Sequence, residues 1–320
     1  MMRRASTIGA KTAGAALAAM VLVIAPPAAS AGDARLKAAP VARAAYVTQA
    51  PIVMLKDLDS GQILYSRGAD KRFAPASMTK VMTAYVVLDL IKKGQLSRNQ
   101  QLTVDEATWK KWSLRPAGSS MFLRAGEKVS VDNLLKGLIT VSGNDAASVL
   151  AIGIDGSEDA FVIRMNAVAA RLKMTSSNFG TPSGWPDGGV TKVSAGDLII
   201  LADRLIRDHP GGYARYFSIP KLQYGTAPDG KPIVQSNRNP ILGRFVGADG
   251  LKTGHTSEAG YCFLGSAKRD GRRLIMVVAG LPSEKARRDE AEKLMAWGFE
   301  PAATMGRAGA SKGKKAAVTP

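Results

Sequence analysis

Two short apolar runs, Ile52-Val53-Met54-Leu55 and Ile63-Leu64-Tyr65, flank Asp59-Ser60-Gly61, which predicts a strand, a tight turn and a second strand. From Val81 to Ile91 the chain reads VMTAYVVLDLI, apolar on nearly every side, and predicts a buried helix rather than a surface one. That helix is expected to open at Ala76-Ser77-Met78-Thr79-Lys80, because the residue before Pro75 is pushed out of helical geometry. Lys92, Lys93 and Gly94 should close it, with cations at the negative end of the dipole and a C-cap glycine. Further helices are predicted at Val131–Thr140, Ala146–Ile152, Phe161–Leu172 and Asp197–Ile206. Between the last two of these lies a Gly/Pro-rich loop, Asn178–Gly189. Late strands are expected on the approach to Leu251, at Tyr261–Ser266 and at Leu274–Ala279, the last two joined by a turn over Lys268–Arg273. Ser283 should cap a final helix that stops at Gly298.

A hairpin, a helical middle, and strands plus a helix at the end predict an α+β fold in which first and last strands share one antiparallel sheet flanked by helices. Arg3, Arg4 and Lys11 precede an apolar stretch, Ala13–Ala25, too short to span a membrane, and Ala29-Ser30-Ala31 offers small residues for cleavage. Residues 1–31 therefore read as an export signal, 32–48 as a flexible leader, 49–299 as the folded domain and 300–320 as a disordered basic tail. The expected destination is the periplasm.

Export changes how the charge and the single cysteine are read. The formal charge is +18, with three of the cations in the signal segment, so the exported chain favours polyanionic surroundings. Basic and aromatic residues are not interleaved as in a nucleic-acid binder, and no nucleic-acid partner is expected. Cys262 allows no intramolecular disulfide and sits in an apolar run, where a cysteine behaves as a small hydrophobe. His209 and His255 are the only histidines and have no ligand-like neighbours, so neither a metal nor another cofactor is expected. His209, ahead of Pro210-Gly211-Gly212, reads as a surface residue before a turn.

Ser77 and Lys80, three apart at the start of a buried helix, share a face and can serve as nucleophile and base. A lysine held neutral by burial removes the need for histidine. The one G-x-S-x-G string, Gly309–Gly313, lies in the tail with no strand before it and is set aside. Two further strings complete a set: Ser142-Gly143-Asn144 at a helix-to-helix joint, and Lys252-Thr253-Gly254 on a late strand. Each alone is commonplace; their order and placement together are specific.

On these strings, and on SSMFLRAGEKVSVDNLLKGLITVSGNDAA, DGLKTGHT, AGYCFLGSA and EAEKLMAWGF, the chain from about Val47 to Phe299 resembles the serine-type D-alanyl-D-alanine carboxypeptidases, the low-molecular-mass penicillin-binding proteins. The resemblance implies a β-lactamase/transpeptidase-like fold with a mainly helical subdomain. It implies that Ser77 attacks the carbonyl between the last two D-alanines of a peptidoglycan stem peptide and is acylated by β-lactams. Lys80 would take the proton, and the backbone N–H groups of Ser77 and His255 would form the oxyanion hole. Ser142, steadied by Lys252, would protonate the departing D-alanine. Asn144 would bind the peptide amide on one side of the cleft. On the other, the Lys252-Thr253-Gly254 strand and Arg287 would hold the substrate and its terminal carboxylate. Two ammonium groups close together in a closed cleft cannot both stay charged cheaply, and Lys80 is expected to be the neutral one near pH 7.

The sequence also departs from the family. Relatives of this type often continue into a β-rich domain and an amphipathic anchor, and 21 residues follow Phe299, so attachment to membranes is expected to be at most electrostatic. Many relatives carry leucine at the place of Trp185 and histidine near Thr191, which bears on substrate preference. No glutamate lies between Phe161 and Ser257 to position a deacylating water, so any β-lactamase activity should be weak. A D,D-endopeptidase acting on cross-linked peptides with the same residues is the alternative activity, and a peptidoglycan-docking module without catalysis is a third.

Overall fold

The computed structural model describes residues 45–113 and 118–300. The signal segment, the leader as far as 44, part of the loop after Trp112 and the tail from 301 lie outside the described residues. Tyr46 and Thr48, which the sequence assigns to the leader, are buried and both donate to the Glu290 carboxylate.

Strands β1 (Ile52–Asp57) and β2 (Ile63–Arg67) form the predicted hairpin. The next element departs from prediction. Ala76–Thr79 is a 3-10 turn, closed by the Met78 N–H to the Pro75 carbonyl at 3.1 Å, and α1 (Lys80–Lys92) begins only after it. Ala76 adopts φ +48, which ordinary helix geometry does not admit. Gly94, at φ +69, ends α1 as expected.

Beyond Gly94, where the sequence is mixed and suggests only a loop at Arg115–Ser119 (residues 114–117 lie outside the described ones), come β3 (Gln101–Thr103), α2 (Glu106–Ser113) and β4 (Lys128–Ser130), with β3 and β4 paired antiparallel. Helices α3 (Val131–Thr140), α4 (Asn144–Asp155), α5 (Glu158–Arg171) and α6 (Ala195–Asp208) follow. Serine side chains at 130, 157 and 194 cap α3, α5 and α6 by accepting backbone N–H bonds.

The predicted turn after α6 is instead a short helix, α7 (Pro210–Tyr216), with proline at its first position where no N–H is needed. His209 is therefore not on the surface: it is 6% exposed at the helix junction, with its ring edge-on to Tyr85. A second hairpin, β5 (Lys221–Thr226) and β6 (Pro232–Ser236), was not legible either. Strands β7 (Ala248–Thr256), β8 (Gly260–Arg269) and β9 (Arg272–Leu281) precede α8 (Glu284–Phe299). Only Asp270 and Gly271, both at positive φ, turn the chain between β8 and β9. Gly298 lies inside α8, not beyond it; a Cβ there would meet Leu274 and Leu55 at 2.7 Å, so its bare backbone lets the helix close on the sheet.

The main sheet has the order β2-β1-β9-β8-β7 and is antiparallel throughout. Its inner strands β1, β8 and β9 carry buried apolar runs because both faces are covered there. Ile52 and Met54 point into the core formed with α1, α3, α4, α5 and α6, whereas Val53 and Leu55 point toward Ala291, Leu294 and Met295 of α8. The α+β expectation therefore holds, and the sheet edge β7 is left facing the start of α1.

Candidate active site

Three distant parts of the chain meet where the 3-10 turn docks on β7. Gly254 makes the approach possible, since a Cβ there would lie 2.4 Å from the Pro75 carbonyl oxygen. On the other flank Gly184, at φ +71, leaves no room for a side chain beside the Ala76 backbone. The nucleophile turn is thus held between a strand and the Gly/Pro-rich loop, which accounts for its tight coil.

Lys80 Nζ lies 3.0 Å from Ser77 Oγ, 2.7 Å from Asn144 Oδ1 and 2.7 Å from the Ser183 carbonyl oxygen. Two of those partners can only accept, so they take two N–H bonds. A neutral amine then turns its lone pair on the third, the hydroxyl that can donate. The side chain is fully buried, and that desolvation lowers its pKa to about 7, against a pull upward from the Asp145 carboxylate and a push downward from Arg238.

Lys252, on β7, is 2% exposed, and its ammonium donates to the Thr253 carbonyl at 3.1 Å. Burial first, then the charge of Lys80, holds its pKa well below the ordinary lysine range. Both lysines are thus depressed, where the sequence reading singled out Lys80.

Ser142 sits at the joint between α3 and α4, at φ +64, and its hydroxyl is buried with no hydrogen-bond partner among the described residues. Non-glycine residues at positive φ are strained, and two of them, Ala76 and Ser142, adjoin the reacting groups.

These groups open onto a cleft of about 710 Å³ that Ser77, Ser142, Asn144, Thr253, Gly254, His255 and Arg287 all line. The His255 ring is exposed and stacks on Tyr261, the ring centroids 3.9 Å apart. Arg287 is not a solvated helix cation: it is 5% exposed, its guanidinium lies 5.6 Å from the Tyr261 ring, its contact with Glu284 is a loose 3.8 Å, and its Nε has no hydrogen-bond partner among the described residues. Every predicted site residue is therefore gathered in one place.

Four residues of the site were missed or passed over as chemistry. Ser183 contributes through its carbonyl, which no side-chain pattern reports. Tyr261 was quoted only inside an apolar string, though its cross-strand pairing with His255 follows from the hairpin register. Arg238 lines the cleft and donates to Ser119 Oγ at 2.7 Å. Asp145 follows directly on Ser142-Gly143-Asn144, and that adjacency was the available signal. Cys262 is fully buried with its thiol pushed up to about 11 by burial, consistent with a structural role. Among the described residues no cluster of His, Cys, Asp or Glu could hold a metal, and no helix is long and apolar enough to cross a membrane.

Comparison with known proteins agrees with this geometry. The D-alanyl-D-alanine carboxypeptidase DacA of Haemophilus influenzae is 39% identical over 252 residues, covering 77% of this chain and 61% of that protein. The chain spans 61–65% of the length of several such curated relatives. Penicillin binding protein 5 from Haemophilus influenzae superposes with a TM-score of 0.73 at 39% identity, covering 80% of this chain and 72% of the other. Penicillin-binding protein D2 from Listeria monocytogenes, solved in an ampicillin-bound form, gives 0.69 at 33% identity over 80% of this chain and 99% of the other. The β-lactamase/transpeptidase-like architecture expected from the sequence is thus the one observed. With residues 39–283 matching its family description, the chain belongs to the D-alanyl-D-alanine carboxypeptidase family.

Proposed function

We propose that this protein is a serine D,D-carboxypeptidase that removes the terminal D-alanine from peptidoglycan pentapeptides through an acyl-enzyme on Ser77, and that β-lactams acylate the same hydroxyl. The observation that carries the reading is the 3.0 Å contact between Ser77 Oγ and a buried Lys80 amine whose other neighbours are acceptors.

In this reading the Ser77 proton moves to Lys80 Nζ as Oγ bonds to the carbonyl carbon of the penultimate D-alanine. The resulting oxyanion is taken by the backbone N–H groups of Ser77 and His255. The C–N bond then breaks, and the leaving amine collects a proton through Ser142 Oγ, which is buried, has no hydrogen-bond partner among the described residues and lines the same cleft as Ser77. Thr253 and Arg287 hold the carboxylate of the departing D-alanine; a buried guanidinium with a free Nε is matched to such a group. Water, deprotonated by Lys80, adds to the ester and releases the shortened peptide.

A β-lactam has its amide within a ring, so the leaving amine stays tethered when the C–N bond opens. With no glutamate between Phe161 and Ser257, the ester should turn over slowly, and penicillin acts as an inhibitor rather than a substrate. The signal-like segment 1–31 supports export to the periplasm, where both peptide and drug are met.

The test is to give the purified protein a fluorescent penicillin, a pentapeptide ending in D-alanyl-D-alanine, and a cross-linked dimer. Labelling with release of D-alanine is the expected result. Faster cleavage of the dimer would move the assignment to an endopeptidase, and absence of labelling would leave only a docking role. Periplasmic localisation is checked by fractionating cells that express the full chain.

A further inference from the structure

We propose that Asp145 is a positioning residue for this reaction: it clamps the turn that presents Ser142 and Asn144, and it supplies the negative charge that faces the Lys80 amine. The inference rests on the function proposed above.

The geometry is that of a carboxylate fully engaged by neutral donors. Asp145 is 3% exposed. It accepts from the backbone N–H of Met121 at 3.0 Å on both oxygens, of Ala146 at 2.9 Å and of Leu123 at 3.3 Å, and from Ser120 Oγ at 2.6 Å. The residue lies in the first turn of α4, where the helix dipole also favours an anion. One side chain therefore ties the loop 120–123 to the start of the helix that carries Asn144. A further strand of the same brace runs from the Asn144 N–H to the Ser119 carbonyl at 2.7 Å. Gly143 completes it, because a Cβ there would sit 2.9 Å from Asp145 Oδ1. Ser142 is thereby pinned in its left-handed conformation, and Asn144 Oδ1 is kept on Lys80 Nζ.

Charge gives the clamp a second role. Lys80 on α1 is faced by Arg238 from the segment ahead of β7, by Lys252 from β7, and by Asp145 from α4; the remaining neighbours, Ser77, Asn144 and the Ser183 carbonyl, are neutral. Asp145 alone of these opposes the cations, so removing its charge should let Lys80 lose its proton at lower pH. A brace with only a structural role would slow the reaction without moving that titration.

The test uses the full chain with Asp145→Asn and Asp145→Glu, reading acylation by fluorescent penicillin and D-alanine release across pH. Asp145→Asn should acylate roughly tenfold or more slowly, with the acidic limb of kcat/KM moved down by roughly one pH unit. Asp145→Glu keeps the charge but misplaces the clamp, so it should be slow with its limb where the native enzyme has it. An Asp145→Asn enzyme whose limb stays in place, or an Asp145→Glu enzyme at the native rate, overturns the proposal. If neither variant folds, Ser120→Ala decides: acylation slowed about threefold with an unmoved limb supports the clamp, and a native rate refutes it. A native enzyme that neither labels nor releases D-alanine defeats the proposed function itself, a result distinct from any of these.

Discussion

Lys80, on the helical side of the cleft, and Lys252, on the sheet side, are equally hidden, at 0% and 2% exposed, yet their surroundings differ. Lys80 is surrounded by three oxygens and has every bonding position taken. Lys252 has a single backbone carbonyl, belonging to the next residue in the chain. A buried amine saturated in this way has a fixed direction for its lone pair, which is what a base requires. A buried amine with a single acceptor keeps bonding capacity to spare, and the Ser142 hydroxyl of the same site likewise has no hydrogen-bond partner among the described residues. In the proposed mechanism the same residue type would thus serve as base on one side and as electrostatic support on the other, set apart by the acceptors each is given.

The sharpest way to break that contrast is to replace each lysine by arginine. A guanidinium cannot give up its proton at any useful pH, so Lys80→Arg should lower penicillin acylation by ~10³-fold or more. Lys252→Arg keeps the charge and the donors, and should lose only about 10- to 100-fold. Stopped-flow acylation measures both; similar losses would mean that the two lysines share one role. The native pH profile belongs to the same contrast. With Lys80 depressed to about 7, kcat/KM should rise through an acidic limb near that pH, far below the ordinary lysine range. A limb near pH 10 would remove Lys80 as the base.

How much of this was legible in the chain follows the same division between side chains and backbone. Ser77, Lys80, Ser142, Asn144 and Lys252 are chemical side chains at fixed spacings, and the apolar runs of β1, β8 and β9 announce themselves. The contributions of Pro75, Ser183 and Gly184 pass through carbonyl oxygens and bare backbone, which no pattern of residue types reports. The β5–β6 hairpin was missed because only Leu222 is buried in β5 and none of β6 is, leaving little apolar signal. His209 was misplaced because Pro210-Gly211-Gly212 reads as a turn, whereas proline at the first position and burial against Tyr85 make it a helix start. Tertiary packing overrode local propensity there, as it did at Gly298.

A smaller effect is expected at the carboxylate end of the sheet side. Arg287→Gln removes the charge while keeping a polar side chain of similar reach, and should raise KM for the pentapeptide about tenfold with a lesser change in kcat. An unchanged KM would reassign the buried guanidinium to packing against Tyr261. Penicillin acylation should fall in parallel, since the drug's carboxylate would occupy the same place.

The smallest effect lies in stability, and it separates the two lysines once activity is gone. A lysine whose pKa in the folded state lies below its unfolded value binds fewer protons folded than unfolded across the interval between the two. Unfolding free energy therefore rises with pH over that interval, for Lys80 from about 7 up toward the ordinary lysine value of 10.5, and below it the buried charge penalises the fold fully. Methionine of similar volume removes the penalty, so both Lys→Met enzymes should lose part of the native pH slope in thermal melts between pH 7 and 10. They should not gain equally. Lys80→Met strands the Asn144 and Ser183 oxygens, whose lost bonds cost about 1–3 kcal/mol and offset most of the benefit. Lys252→Met strands one carbonyl, so at pH 7 it should be the more stable of the two by about 1 kcal/mol. If the order is reversed, the acceptors around Lys80 are not what distinguishes it, and the division of labour between the two amines must come from the substrate instead.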